Sequence, residues 1–138
     1  MAPYISIVIL VIASLLPASV QAQDAGARVL EHIRAALSEA DVERLVEHCG
    51  ERIDLTVLGT SELLSRAQAR YVVQSFFAGY PPVRVDLIES SESGGHRFAS
   101  GEYWNETVSR PLALYVRLGR TESGWQLREL RIERPSTR

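Results

Sequence analysis

Six side chains able to hold or move a proton fall on stretches whose alternation reads as β-strand: Asp54, Asp86, His96, Glu102, Tyr103 and Tyr115. Proton shuttling of the isomerase kind needs a carboxylate of raised pKa beside an oxyanion donor, both inside an apolar pocket. The spacing argues against that use. Asp54 sits between Ile53 and Leu55, so its carboxylate faces the side opposite the one they pack on. Tyr103 and Trp104 are neighbours on a strand and point to opposite faces, so at most one lines a cavity, as an amphipathic wall. His32, His48 and His96 are scattered. His48 and Cys49, read as helix neighbours, diverge by about 100° and cannot form one metal site alone. There is no nucleophile elbow, phosphate loop or dinucleotide fingerprint, and Gly94-Gly95 reads as a turn. Asn105-Glu106-Thr107 is a glycosylation triplet, meaningful only in a source that glycosylates. These residues predict no catalytic set, no metal and no cofactor.

The chain's start suggests where it works. The first charged residue is Asp24, and Ile5 to Leu16 is almost unbroken Ile, Val, Leu and Ala. Pro17 and the small-residue run Ala18-Ser19-Val20-Gln21-Ala22 follow, the pattern of a secretory signal peptide cut after Ala22. The segment lacks the usual basic N-terminal end. It is also shorter than the roughly 20 apolar residues of a spanning helix, so a membrane is a partner only if the segment stays uncleaved. Residues 1–22 are expected to be a signal peptide and 23–138 one domain, exported to periplasm or medium.

A domain of that size buries roughly 65% of its unfolded surface, enough for a core without staples. The lone Cys49 cannot form an internal disulfide and reads as a small buried hydrophobe. All 15 basic residues are Arg, and net charge is −2. From Asp24 to Leu64 the balance is −5, from Ser65 to Ser109 it is −1, and from Arg110 to Arg138 it is +4. Glu122, Glu129 and Glu133 interrupt the basic end, so it reads as mixed strand surface, and nucleic acid is not an expected partner.

The elements that must position these residues follow from hydrophobic period. Val29, Leu30, Ile33, Ala36 and Leu37 share a helical stripe, as do Val42, Leu45, Val46 and Cys49, with Gly50 as the expected C-cap. Arg52 to Leu58 alternates as a strand ending at Gly59. Ser65-Arg66-Ala67-Gln68 is a capping box opening a helix with Ala69, Val72, Val73, Phe76 and Phe77 on one side. Four strands are expected after Pro82: Val83, Val85 and Leu87 on one face, a turn-rich link over Ser90 to Gly95, then His96 to Asn105, Pro111 to Leu118 and Trp125 to Arg134. In the last, Trp125 and Leu127 have one parity and Leu130 and Ile132 the other, which requires a bulge near Arg128 or Glu129. Helix, helix, strand, helix, then four strands is segregated α+β.

This order resembles the nuclear transport factor 2-like superfamily, the cystatin-like α+β cone, in a bacterial exported branch of unknown function. The resemblance is carried by Ala36-Leu37 to Asp41, Arg52 to Leu58, Gln68-Ala69 through Phe76-Phe77 into Pro81-Pro82, and Gly124-Trp125 to Ile132. It implies three N-terminal helices packed in a strongly curved, mainly antiparallel sheet. The superfamily includes isomerases, dehydratases and many non-catalytic modules, so fold does not choose the function. Steroid-isomerase-like members carry an oxyanion Tyr in the first helix, where this chain has none. The expectation is an exported non-catalytic module binding a small apolar ligand or a protein partner, with a cofactor-free lyase or isomerase as the alternative. Tyr103, Trp104 and Tyr115 are the candidate ligand-binding residues. Members commonly pair sheet to sheet, and a weak homodimer is expected through the outer face on Tyr115 and Arg117, since interfaces favour Tyr and Arg.

Overall fold

The computed structural model describes residues 18–137, with side-chain surroundings from residue 25 onward. Residues 1–17, the greater part of the segment read as a signal peptide, lie outside the described residues, while its last five, Ala18 to Ala22, open the first helix. No described helix is long and apolar enough to cross a membrane. The elements are α1 (Ala18–Ser38), α2 (Val42–Glu47), β1 (Cys49–Val57), β2 (Thr60–Ser65), α3 (Arg66–Gly79), β3 (Pro82–Ser93), β4 (His96–Asn105), β5 (Leu112–Thr121) and β6 (Gly124–Glu133). They form the α+β cone expected, three helices within a curved mixed sheet of order β2-β1-β6-β5-β4-β3. Only β1 and β6 run parallel; the other neighbours are antiparallel.

Local chemistry sets the ends of the helices. The Asp41 carboxylate accepts from the Arg44 N–H at 3.1 Å and opens α2. Ser65 Oγ accepts from the Gln68 N–H at 3.2 Å, while Gln68 Oε1 accepts from the Ser65 N–H at 3.0 Å, closing the predicted capping box. Cys49 and Gly50 do not end α2 as expected; they begin β1. The sheet takes that backbone: the Leu127 N–H donates to the His48 carbonyl at 2.7 Å, and the Arg66 guanidinium to the Cys49 carbonyl at 2.8 Å.

β2 is an element the pattern did not predict. Leu58 (φ 48°) and Gly59 (φ 92°) are both left-handed and make a two-residue hairpin turn, so Thr60 pairs with Val57. On β2 only Leu64 is buried, which leaves no alternation to read. The expected link over Ser90 to Gly95 is shorter than expected. β3 runs to Ser93 and the turn is Gly94-Gly95 alone.

The ladder slips at defined places. In β3 the register skips Val83 and Ile88, which are 62% and 63% exposed. Val83 therefore leaves the face expected for it with Val85. Bulges of this kind on an edge strand also discourage a second chain from pairing there. Opposite the second slip, Gly101 comes so close to β3 that a Cβ would stand 1.9 Å from the Asp86 carbonyl oxygen. In β6, Leu127 pairs with Leu118 and Glu129 with Arg117, so Arg128 is the extra residue. That bulge returns Leu130 and Ile132 to the face of Trp125 and Leu127, all buried.

The core joins α1 (Leu30, Ile33, Leu37) and α3 (Val73, Phe76, Phe77) to the concave face (Ile53, Val85, Leu112, Val116, Leu130). Phe76 packs 5.2 Å from the Tyr103 ring and stacks on Tyr80 at 5.3 Å. Phe76→Ala should cost about 3–5 kcal/mol in chemical denaturation, the range for deleting a buried ring. A loss below about 1 kcal/mol would refute this packing role.

Candidate functional site

At the mouth of the cone, between α3 and the β1–β2 hairpin, the sheet leaves a recess of ≈ 490 Å³. Its walls are largely apolar: Leu55, Val57, Leu58, Leu64, Val72 and Phe76, with Tyr80 beside them. The only titratable side chains on the lining are Glu62, Tyr71 and Tyr80. The hairpin turn and the stripe of α3 build the site together. Leu58 faces it because the turn holds that residue left-handed, and Val72 and Phe76 face it because they lie one helical turn apart.

The structure divides the sequence-predicted residues between the two faces of the sheet. Tyr103 is on the concave face and fully buried behind the recess, not on its wall. Its hydroxyl donates to the Tyr80 carbonyl at 2.6 Å, and burial raises its pKa far above that of an ordinary phenol. The phenol therefore ties β4 to the end of α3. Trp104 points outward, with the Arg84 guanidinium 4.9 Å from its ring centroid. Tyr115 is also outward, 6.4 Å from Phe98, with its pKa raised first by desolvation and then by Glu129. Arg117 lies 3.6 Å from Glu129 and 3.9 Å from Asp54. Ile88, Phe98 and Tyr115 border a second depression, of ≈ 510 Å³, on this outer face.

The remaining proton-bearing residues lie away from the cone's interior. Asp54 is exposed, Asp86 pairs with Arg84 at 2.8 Å, and His96 is exposed. Glu102 has the outward parity of Trp104 and pairs across the sheet with Ala113. His32 and His48 stand 5.7 Å apart, and burial, then the charge of His32, lowers the pKa of His48. Among the described residues no group of three His, Cys, Asp or Glu is placed to hold a metal. Burial pushes the Cys49 thiol up to about 11, against a smaller opposing effect of Arg66. It behaves as core, with Sγ 3.8 Å from the Leu45 carbonyl. Asn105 is buried, and its Oδ1 accepts from the N–H groups of Thr107 and Val108 at 3.0 and 3.1 Å. The glycosylation triplet therefore serves here as a turn.

Sequence reasoning missed the recess residues Leu58, Leu64 and Tyr80. The available signal was Leu58-Gly59, a two-residue reversal after an alternating strand.

Comparison with known proteins places this geometry. Among curated proteins, none matches the chain by sequence. Among solved structures, a DUF4783 protein of Bacteroides uniformis ATCC 8492 superposes with TM-score 0.71 at 14% identity, over 78% of this chain and 97% of that one. One of Bacteroides ovatus ATCC 8483 gives 0.69 at 14%, over 77% and 94%. A protein of the nuclear transport factor 2-like family from Streptomyces avermitilis gives 0.64 at 12%, over 88% and 100%. At such identities the likeness speaks for the fold. The model of a domain of unknown function, DUF4783, matches residues 30–133, so this chain belongs to that family, with a nuclear transport factor 2-like fold.

Proposed function

We propose that the protein is an exported, non-catalytic module that holds a small apolar ligand in the mouth of the cone. The observation that carries this reading is the composition of the recess. Leu55, Val57, Leu64, Val72 and Phe76 offer apolar contact, while the polar groups stand at the rim as Thr60, Glu62, Tyr71 and Ser75. A volume of ≈ 490 Å³ lies within the range of small-molecule sites. Proton-transfer chemistry would need a carboxylate and an oxyanion donor together inside an apolar pocket, whereas Glu62 and Tyr71 are exposed at the rim and the other carboxylates and the histidines of the strands lie elsewhere. The test uses a fluorescent fatty-acid analogue. It should bind the domain saturably, and Val72→Arg should weaken binding about tenfold or more, the effect of placing a charge on an apolar wall. Absence of saturable binding to a folded wild-type domain would overturn the proposal.

Export rests on the apolar segment, the small-residue run and the first charge at Asp24. Mass analysis of exported material should find an N-terminus at Gln23. An intact Met1 in the membrane fraction would instead mean a retained anchor.

We also propose a weak homodimer through the outer face, built on Tyr115 with Arg117 at its edge. The supporting observation is that Tyr115 adjoins Phe98 and the 63% exposed Ile88 around one shallow depression. Aromatic side chains gathered this way favour association. Sedimentation between micromolar and near-millimolar concentration should show a mass rising towards the dimer, abolished by Tyr115→Glu. A strictly monomeric mass across that range, or a dimer indifferent to the substitution, would exclude this interface.

A further inference from the structure

A third, chemically different recess opens where β1, β5 and β6 meet the β3–β4 turn. Its volume is ≈ 530 Å³, and Arg52, Arg117, Arg120 and Arg128 line it together with His96 and a single carboxylate, Asp54. Leu63, the glycines of the turn and Gly119 complete the lining. Of the four arginines, Arg117 is neutralised, by Asp54 at 3.9 Å and Glu129 at 3.6 Å. Arg52, Arg120 and Arg128 have no carboxylate partner among the described residues, a state they share with Arg28, Arg66, Arg110 and Arg134 but not with the ion-paired Arg34, Arg44, Arg70, Arg84, Arg97 and Arg131. Gathering uncompensated cations costs self-repulsion, which an anion between them relieves.

The position of Arg128 is built, not incidental. It is the extra residue of the β6 bulge. Its side chain then lies along the sheet over positions that have none of their own. A Cβ on Gly119 would stand 2.9 Å from Arg128 Cγ, and one on Gly50 would stand 3.2 Å from Nη1. Arg120 has the concave-face parity of Leu118, with its guanidinium 5.8 Å from the Trp125 ring centroid, so it borders the recess through the strand end, where its N–H donates to the Gly95 carbonyl at 2.9 Å. Cations fixed in advance lose little freedom when a ligand arrives.

From this arrangement we propose that the recess is a binding site for a phosphoryl-bearing small molecule carrying at least two negative charges. The uncompensated guanidinium forks of Arg52 and Arg128, with Arg117 beside them, match the several equivalent oxygens of a phosphoryl group better than the single plane of a carboxylate. The recess is on the outer face, apart from the apolar mouth of the cone, so its occupancy is independent of the ligand proposed there.

The full-length domain is titrated by calorimetry with pyrophosphate, inorganic phosphate and glycerol 3-phosphate, with citrate as the carboxylate comparison. Pyrophosphate should bind saturably, and Arg128→Gln and Arg52→Gln should each weaken it about tenfold or more, the loss of one charge-assisted pair. Gly119→Ala should weaken it while leaving net charge unchanged, because the new methyl displaces the Arg128 stem. Arg110→Gln, outside the recess, should leave binding as it was. Tighter binding of glycerol 3-phosphate than of inorganic phosphate would identify an esterified ligand, and the reverse a free one; either supports the site. No saturable binding of any phosphoryl probe to folded protein overturns it. So does an equal loss from Arg110→Gln and Arg128→Gln, which would mean a net-charge effect. Citrate binding as tightly as pyrophosphate would overturn the phosphoryl assignment.

Discussion

Side chains on a β-strand alternate strictly, so a sheet that curves around helices keeps one apolar face only if some strands gain a residue where the bend is sharpest. The extra residue in β6 is Arg128. Without it, Leu130 and Ile132 would take the outward parity, and the two fully buried anchors of the last strand would leave the core. β6 lies at the centre of the sheet, between the parallel β1 and the antiparallel β5, so a slip there would propagate to both neighbours. The close approach at Gly101 performs a related task at the edge, where β3 is pressed against β4 beside its own bulge at Ile88.

Much of this was legible because it is written in periodicity. The capping box at Ser65, the stripe of α3, the limits of β4 and the need for a bulge near Arg128 all follow from spacing alone. Elements without a periodic signal were not legible. β2 buries one residue of its six and is held by pairing with β1, a tertiary cause that propensity does not record. The parity of Val83 misled for the complementary reason: alternation looks intact in the sequence while the ladder skips the residue. The boundary at Cys49 was misplaced because a helical stripe continues through it, and donors more distant in sequence, the Leu127 N–H and the Arg66 guanidinium, decide that the chain turns into the sheet.

The candidate site shows the same division. Adjacent Tyr103 and Trp104 had to face opposite ways, and they do. Which of them entered the cone, and whether its polar atom would remain free, depended on α3. Phe76 packs at a tilt against Tyr103 and stacks on Tyr80, whose carbonyl accepts from the Tyr103 hydroxyl. A buried phenol must satisfy its hydroxyl, and here the end of a helix does so. The deepest aromatic in the cone is thus spent on structure, and the recess in front of it is lined by Leu55, Val57, Val72 and Tyr80.

The outer face inherits its chemistry from the same bend. A bulged residue has no partner across the ladder, and its side chain is re-aimed relative to its neighbours. In β3 the residues so displaced are Val83 and Ile88, and apolar surface appears at the sheet's edge. In β6 the displaced residue is an arginine laid across Gly119 and beside Gly50, and cationic surface appears at the sheet's centre. Core and surface are thus coupled through one residue. A change that removed the bulge to simplify the strand would turn Leu130 outward and withdraw Arg128 from its place over Gly119 at once. Replacing Arg128 by Gln keeps the bulge and alters only the charge. Half of the described arginines have no carboxylate within ion-pair distance, so what sets Arg128 apart is that its stem is laid over Gly119 and beside Gly50 by the bend itself, and not the want of a partner.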